Sequence, residues 1–401
     1  MTSSRLKSVV VILQGLTSHN RFLQPWRYLT EVAIQLNRIG HDVRIVTDGS
    51  ADCTEWSMES VPVHVLPSVR NSIVWPNRLL ARSVDRWKPD VLVWGVGVTS
   101  FLHQRFFPML GRKQVGIFSS PIYTTQDLAK LGYVRLLRNF DLSGIHILGA
   151  ITPRSLLQYQ AVNSGLDIVV TQTLTTGRKL VQEYGIRQVG TIPPAIDPIW
   201  YDSTELLQQE ENLCDKNQFI IGYIGPPDVL RGLPRLLSAF ANLRSQRRDL
   251  KLLILNRKSG QPNDKKTEYI HNQIERLELK KSVELVDGIL SPMQLVELCR
   301  RADLIALPFE IIPSEAPLSI LELRALGKPL VTSQLGCIPE LSPGLFAYFA
   351  EPGDQHSLEN KLWAAIQEVE RSSRKEIAQS IPNARRSWEE FGLEWSRLIE
   401  A

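Results

Sequence analysis

Pro313-Ser314-Glu315-Ala316-Pro317-Leu318-Ser319-Ile320-Leu321-Glu322-Leu323-Arg324-Ala325-Leu326-Gly327-Lys328-Pro329-Leu330-Val331 reads as a short loop, a helix and then a buried strand, with two carboxylates placed around the start of the helix. A helix N-terminus presents unpaired N–H groups and a partial positive charge, so it can hold a phosphate or a sugar oxygen without a metal. Glu315 and Glu322 would then face the hydroxyls of a ligand. The competing reading makes Ser314 and Glu315 ordinary capping residues and lets Glu322 complement the helix dipole.

The same alternation of strand and helix extends outward along the whole chain. Runs rich in Val, Ile and Leu fall at 9–13, 43–47, 63–66, 91–94, 115–118, 168–171 and 189–192, and again at 220–224, 252–255, 283–286, 304–307, 330–332 and 346–349. Helix-length segments separate them, which predicts two parallel α/β sheets built from βαβ units. A chain of 401 residues suits two domains of about 150 to 200 residues each. Pro193-Pro194-Ala195-Ile196-Asp197-Pro198 marks the joint, giving a first domain over 1–197, a second over 198–380 and a last helical segment over 381–401.

Gly222-Tyr223-Ile224-Gly225-Pro226-Pro227-Asp228-Val229-Leu230-Arg231-Gly232 follows the first strand of the second half and precedes a helix with an apolar stripe at Leu233, Leu236, Leu237, Phe240 and Leu243. The loop therefore opens at strand carboxyl ends, where open α/β sheets bind ligands. Its glycines let backbone approach a diphosphate, and Arg231 offers a fork of donors to the oxygens. Arg231 as a plain surface arginine beside a turn is the structural alternative.

Taken together, the Pro-Ser-Glu loop, the Leu-Glu pair, Ala-Leu-Gly-Lys-Pro-Leu-Val and the glycine loop resemble the donor side of retaining glycosyltransferases of family 4. Val286-Asp287-Gly288 with Ser291-Pro292 resembles the segment bracketing the nucleotide base, and Ala302-Asp303-Leu304-Ile305-Ala306-Leu307-Pro308 the strand before the glutamate loop. The resemblance covers nearly all of residues 219–350. It implies the GT-B fold: two Rossmann-like parallel-sheet domains facing across a cleft, with the C-terminal helix, here Ser387 to Ile399, crossing back to the first domain.

It also implies a retaining transfer from a nucleoside-diphosphate sugar, with UDP or GDP as carrier, to a glycan or lipid-linked acceptor. The implied donor residues are Gly225, Arg231, Lys258, Glu315, Ala316, Leu318, Ser319 and Glu322, with Arg231 and Glu315 catalytic; Glu322 takes the ribose and Glu315 the donor sugar. This chain departs from the family pattern in two places. Pro226 stands where a first basic residue is usual, leaving Arg257 or Lys258 to supply a second charge or Arg231 to act alone. Six residues rather than seven separate Glu315 from Glu322, and Pro317 removes one loop N–H.

Breaking the bond from an anomeric carbon to a diphosphate puts negative charge on the leaving group, which a metal or fixed cations must absorb. The sequence holds no Asp-x-Asp triplet, so no metal and no further cofactor is expected, and Arg231 and the helix N-termini carry that role. On the acceptor side, Gly15 and His19 follow the first strand, and Ser119 stands in Phe118-Ser119-Ser120-Pro121, where a histidine is common in the family. A solvent-facing loop histidine is the alternative for His19; His41 and His146 read as structural. A nucleotide-sugar epimerase would need acid and base residues that are absent. A non-catalytic sugar-nucleotide or partner-binding module is suggested by Pro226, the shortened spacing and the missing histidine.

Composition narrows the setting. The chain is 43% hydrophobic and 22% charged, with no window near the length of a membrane-spanning helix. The short apolar run after Arg5 and Lys7 reads as a strand and not a signal peptide. Cys53, Cys214, Cys299 and Cys337 lack ligand spacing, which fits a reduced, cytoplasmic location. Between Arg70 and Arg138, eleven Lys or Arg face three Asp, a local +8. Trp75, Trp87, Phe106, Phe107, Met109 and Tyr133 lie among them, a mixture suited to an anionic membrane surface at the inner face. A solvated basic face is the plainer reading; no nucleic-acid motif is present. Gly95-Val96-Gly97 lacks the third glycine of a dinucleotide fingerprint, which sets a dehydrogenase aside.

Overall fold

In the computed structural model, which describes the chain outside residues 1–5, 19, 23, 25, 50–54, 67, 68, 70–77, 98–111, 203–217, 258–264, 289, 313 and 382–384, the apolar runs assemble into two sheets. The first contains β1 (Ser8–Leu13), β2 (Asp42–Thr47), β3 (Glu55–Met58), β4 (Val61–Val65), β5 (Val91–Val96), β6 (Lys113–Phe118), β7 (Ile168–Thr171) and β8 (Val189–Thr191), in the order β3-β4-β2-β1-β5-β6-β7-β8. The second contains β9 (Phe219–Gly225), β10 (Leu250–Arg257), β11 (Val283–Gly288), β12 (Leu304–Leu307), β13 (Leu330–Ser333) and β14 (Ala347–Ala350), in the order β11-β10-β9-β12-β13-β14.

Every pairing is parallel except β3 with β4. Helices cover both faces of a parallel sheet, so its strands are apolar throughout rather than alternating. Val9, Val10 and Val11 show the consequence, being wholly buried in succession. Strand β3 is the element that the apolar pattern does not announce. Its residues Glu55-Trp56-Ser57-Met58 form a polar edge hairpin, closed by Glu59 and Ser60 at φ 46 and 71. The usual Asn-Gly turn signal is missing there.

The last helix, Trp388–Glu400, starts at Ser387 with a capping box to Glu390 and packs on the first domain, not the second. Phe391 meets Tyr28 of the helix Trp26–Ile39 edge-on at 5.1 Å between ring centroids. A Cβ on Gly392 would stand 2.7 Å from the Gln35 Cβ, so glycine sets the closeness of the two helices. His41 is structural: Nδ1 accepts the Lys7 N–H at 3.1 Å, and Nε2 lies 2.9 Å from Ser396 Oγ.

In each sheet the strand order reverses direction once, between β1 and β5 and between β9 and β12. The carboxyl ends of the strands flanking such a switch point are where this class of sheet takes its ligand.

Candidate active site

The chain ends β9 at Gly225, φ 143, forms one tight turn over Val229–Arg231 and crosses Gly232 at φ 80 into the helix Leu233–Gln246. A Cβ on Gly232 would lie 1.9 Å from the Pro308 carbonyl oxygen; only glycine lets this loop abut the end of β12. The contact is sealed by Glu310 and Ile311, whose N–H groups both donate to the Leu230 carbonyl at 3.0 and 2.9 Å. A Cβ on Gly225 would stand 3.1 Å from Arg231 Nη1, so the bare glycine makes room for the guanidinium to lie back across the loop. Asp228 in the same loop pairs with Lys266, from the helix Lys265–Arg276, at 2.5 Å. Lys266 is a second cation that spacing alone does not single out. Lys258 lies outside the described residues, as does the Arg257 side chain.

The helix Leu318–Ala325 begins behind Pro317 with no side-chain cap, so neither Ser314 nor Glu315 caps it. Glu315 instead crosses to the first domain. Its carboxylate accepts the N–H of Gln172 at 2.8 Å and both the N–H and the hydroxyl of Thr173, at 2.9 and 2.8 Å. Thr173 is the N-cap of the helix Leu174–Tyr184. Glu340 completes the job on the next residues, accepting the N–H groups of Leu174 and Thr175 at 2.8 Å each. Two carboxylates of one domain thereby satisfy the open N–H groups at a helix start of the other.

Glu315 is fully buried, and burial pushes its carboxyl up to about 8 against the downward pull of those hydrogen bonds. Its N–H donates to the Ser119 carbonyl at 2.9 Å, and its own carbonyl accepts the Cys337 thiol at 2.6 Å. Ser119 thus enters the site through its backbone. Ala316 is wholly buried beside it. Ser314 Oγ and the Gln172 side-chain amide are buried without a protein hydrogen-bond partner.

Glu310 adds a third crossing. It is fully buried and pairs with Arg235 at 3.0 Å and with Arg135 of the first domain at 2.7 Å. Around it, Tyr123, Leu128, Leu131 and Leu136 pack against Leu230 and Ile311. The Tyr123 hydroxyl accepts the Ile312 N–H at 2.7 Å. His146 packs edge-on to Tyr123, and burial lowers it to about 4, so it is neutral at physiological pH.

Glu322 is buried on the other side of the helix Leu318–Ala325, lining a small cavity with Leu318, Pro292, Leu295 and Trp200. Ser319 is half-buried in the first turn. Ile196, Asp197, Arg27 and Trp388 also line the cavity, and Asp197 accepts Arg27 at 2.7 Å and Trp388 Nε1 at 2.9 Å. Nearby, Asn256 donates to Asp287 at 2.7 Å and joins the ends of β10 and β11. In the first domain Gly15 is exposed at φ 65, its N–H held by Asp48 at 2.7 Å. His19 lies outside the described residues. Among the described residues, no three His, Cys, Asp or Glu side chains gather as metal ligands.

Residues 205–384 match the family described as glycosyl transferases group 1. The lipopolysaccharide 1,2-N-acetylglucosaminetransferase of Salmonella typhimurium is 27% identical over 185 residues, covering 46% of this chain and 48% of that protein. The D-inositol 3-phosphate glycosyltransferase of Segniliparus rotundus is 27% identical over 177 residues, 43% of this chain and 38% of that one. The matched stretch spans half or less of these curated relatives. Over 98% of this chain, the fold is similar to a glycosyltransferase from Rickettsia africae (TM-score 0.64, 16% identity, 98% of that chain). The Anabaena HepE protein, solved with UDP and glucose, is similar over 98% of this chain and all of its own (TM-score 0.66, 16% identity). Residues 205–384 match the glycosyl transferases group 1 family model, and the chain that carries them has the two-domain GT-B fold.

Proposed function

We propose that this chain transfers a sugar from a nucleoside-diphosphate sugar to a glycan or lipid-linked acceptor, retaining the anomeric configuration and needing no metal. One observation carries the reading. Gly225 ends β9 with Arg231 on the turn behind it, and Glu322 lies on the helix that follows the loop after β12, the two strands flanking the switch point of the domain that matches the family. Arg231, with Lys266 near it, stabilises charge on the departing diphosphate. Glu322 accepts the ribose hydroxyls, while Gly225, Ala316, Leu318 and Ser319 shape the remainder of the donor site. Glu315 holds the donor sugar once it leaves Thr173.

In the transfer the bond from the anomeric carbon to phosphate breaks and a bond to the acceptor oxygen forms on the same face. The acceptor's proton goes to the released diphosphate. Gly15, His19 and Ser119 face the acceptor. UDP is the first carrier to try, since HepE was solved with it, and GDP the second. The basic composition of the stretch 70–138 motivates placing the reaction at the cytoplasmic face of an anionic membrane. The engagement of Glu315 with Thr173 favours a second reading, a binding module without turnover.

A thermal-shift screen against UDP, GDP, ADP, TDP and their sugar conjugates, with and without chelator, tests the donor site. Chelator-resistant stabilisation by one nucleotide is the expected result, and its absence with every nucleotide removes the reading. Proton NMR of the anomeric centre in the product then tests retention, and inversion would overturn it.

A further inference from the structure

Ten of the nineteen large hydrophobic residues exposed among the described ones lie between Tyr133 and Val162. They belong to three successive helices, Tyr133–Arg138, Phe140–Ile151 and Arg154–Val162, joined by connectors of one or two residues. On each helix they recur every third residue and so mark an outward stripe: Val134 and Leu137; Ile145, Leu148 and Ile151; Leu156, Tyr159 and Val162. The opposite sides hold the fold together, with Leu136 packed against Leu230 and Ile311, and Leu157 buried in the first domain. An exposed apolar surface of this extent on a folded domain marks a binding face.

Charge selects the occupant. Among described side chains from 125 to 167, the exposed charges are Lys130, Arg138 and Arg154, all basic, and Asp167, whose carboxylate accepts the Gln114 N–H at 2.6 Å. Arg154 is paired with Glu183 at 3.1 Å, while Asp127 is half-buried and closes a capping box with Thr124. A twofold pairing of two copies through this face would bring like charges together in one interface. Anionic headgroups would instead neutralise them while the apolar stripes enter the acyl boundary. No helix of the described residues is long and apolar enough to cross a membrane, so the face lies on the bilayer.

We infer that the helices 133–162 are a docking face for an anionic lipid bilayer. The surface differs from the basic stretch 70–138 picked out by composition. Of the aromatic residues and Met109 noted there, Trp75, Phe106, Phe107 and Met109 lie outside the described residues. Trp87 packs on His64 beneath Arg86, and Tyr133 is exposed. The docking face adjoins the cleft, because Arg135 on its first helix binds Glu310, five residues before Glu315. Its purpose rests on the proposed lipid-linked acceptor: a chain seated this way presents the acceptor side of the cleft to the membrane.

Vesicle co-sedimentation without donor or acceptor tests the face independently of turnover. The full chain is expected to bind phosphatidylglycerol-containing vesicles at least tenfold more tightly than pure phosphatidylcholine. Leu148→Ser with Ile151→Ser should lose most of that binding, and Lys130→Glu with Arg138→Glu should lose its salt-sensitive part. All four sites are exposed, so circular dichroism melting should be unchanged. Equal binding by the variants, or none by the parent, overturns the inference. Light scattering that shows a dimer broken by the serine pair, with vesicle binding intact, assigns the face to a second copy instead.

Discussion

Glu315 and Thr173 join the two domains through one carboxylate oxygen, which accepts the Thr173 N–H at 2.9 Å and its hydroxyl at 2.8 Å. A residue of the loop between β12 and the helix Leu318–Ala325 is thereby committed to a helix start 142 positions away in sequence. In the proposed donor-binding role of Glu315, a sugar hydroxyl that is to use this carboxylate must compete with those donors.

The pH dependence follows with a definite sign. The Glu315 carboxyl is raised from 4.5 to about 8 by burial, so the folded chain holds this proton more tightly than the unfolded one. Its contribution to stability is complete below about pH 4.5 and is lost as pH rises through about 8. The thermal midpoint should fall over that window, and Glu315→Gln should flatten the profile; an unchanged slope in the variant would remove Glu315 as its source.

Arg231→Ala should lower kcat by roughly 100- to 1000-fold, the scale on which a single donor to developing charge acts. Lys266→Ala, which removes the neighbouring cation paired with Asp228, should cost less. Steady-state rates with the donor found by the thermal screen measure both.

Glu322→Ala should weaken nucleotide binding by about tenfold, the worth of a hydrogen bond to a charged group, with kcat little altered. Calorimetric titration of the nucleoside diphosphate reads this directly. A change in kcat alone would move Glu322 from the ribose to the reacting centre.

Gly232→Ala should destabilise the second domain by about 2 kcal/mol or more, since its Cβ would collide with the Pro308 carbonyl at 1.9 Å and φ is 80. Glu310→Ala should cost about 3 kcal/mol by leaving Arg135 and Arg235 without their buried partner. Denaturant melts of each variant check these values.

The sequence by itself determined the sheets and the order of elements along the chain. Parallel strands buried on both faces must be continuously apolar, so all thirteen apolar runs are legible as strands; β3 is not, because a polar edge strand with a Glu-Ser turn carries no such signal. The Arg231-Gly232 pair is equally local, since a backbone approach only glycine permits leaves its mark in the residue itself. Tertiary structure alone decided what the carboxylates touch. Glu310, Glu315 and Glu340 meet partners 175, 142 and 166 residues away, and no periodicity records a hydrogen bond between domains. The apolar face at 133–162 was hidden for the same reason: composition counts hydrophobic residues, but only packing divides them between core and surface.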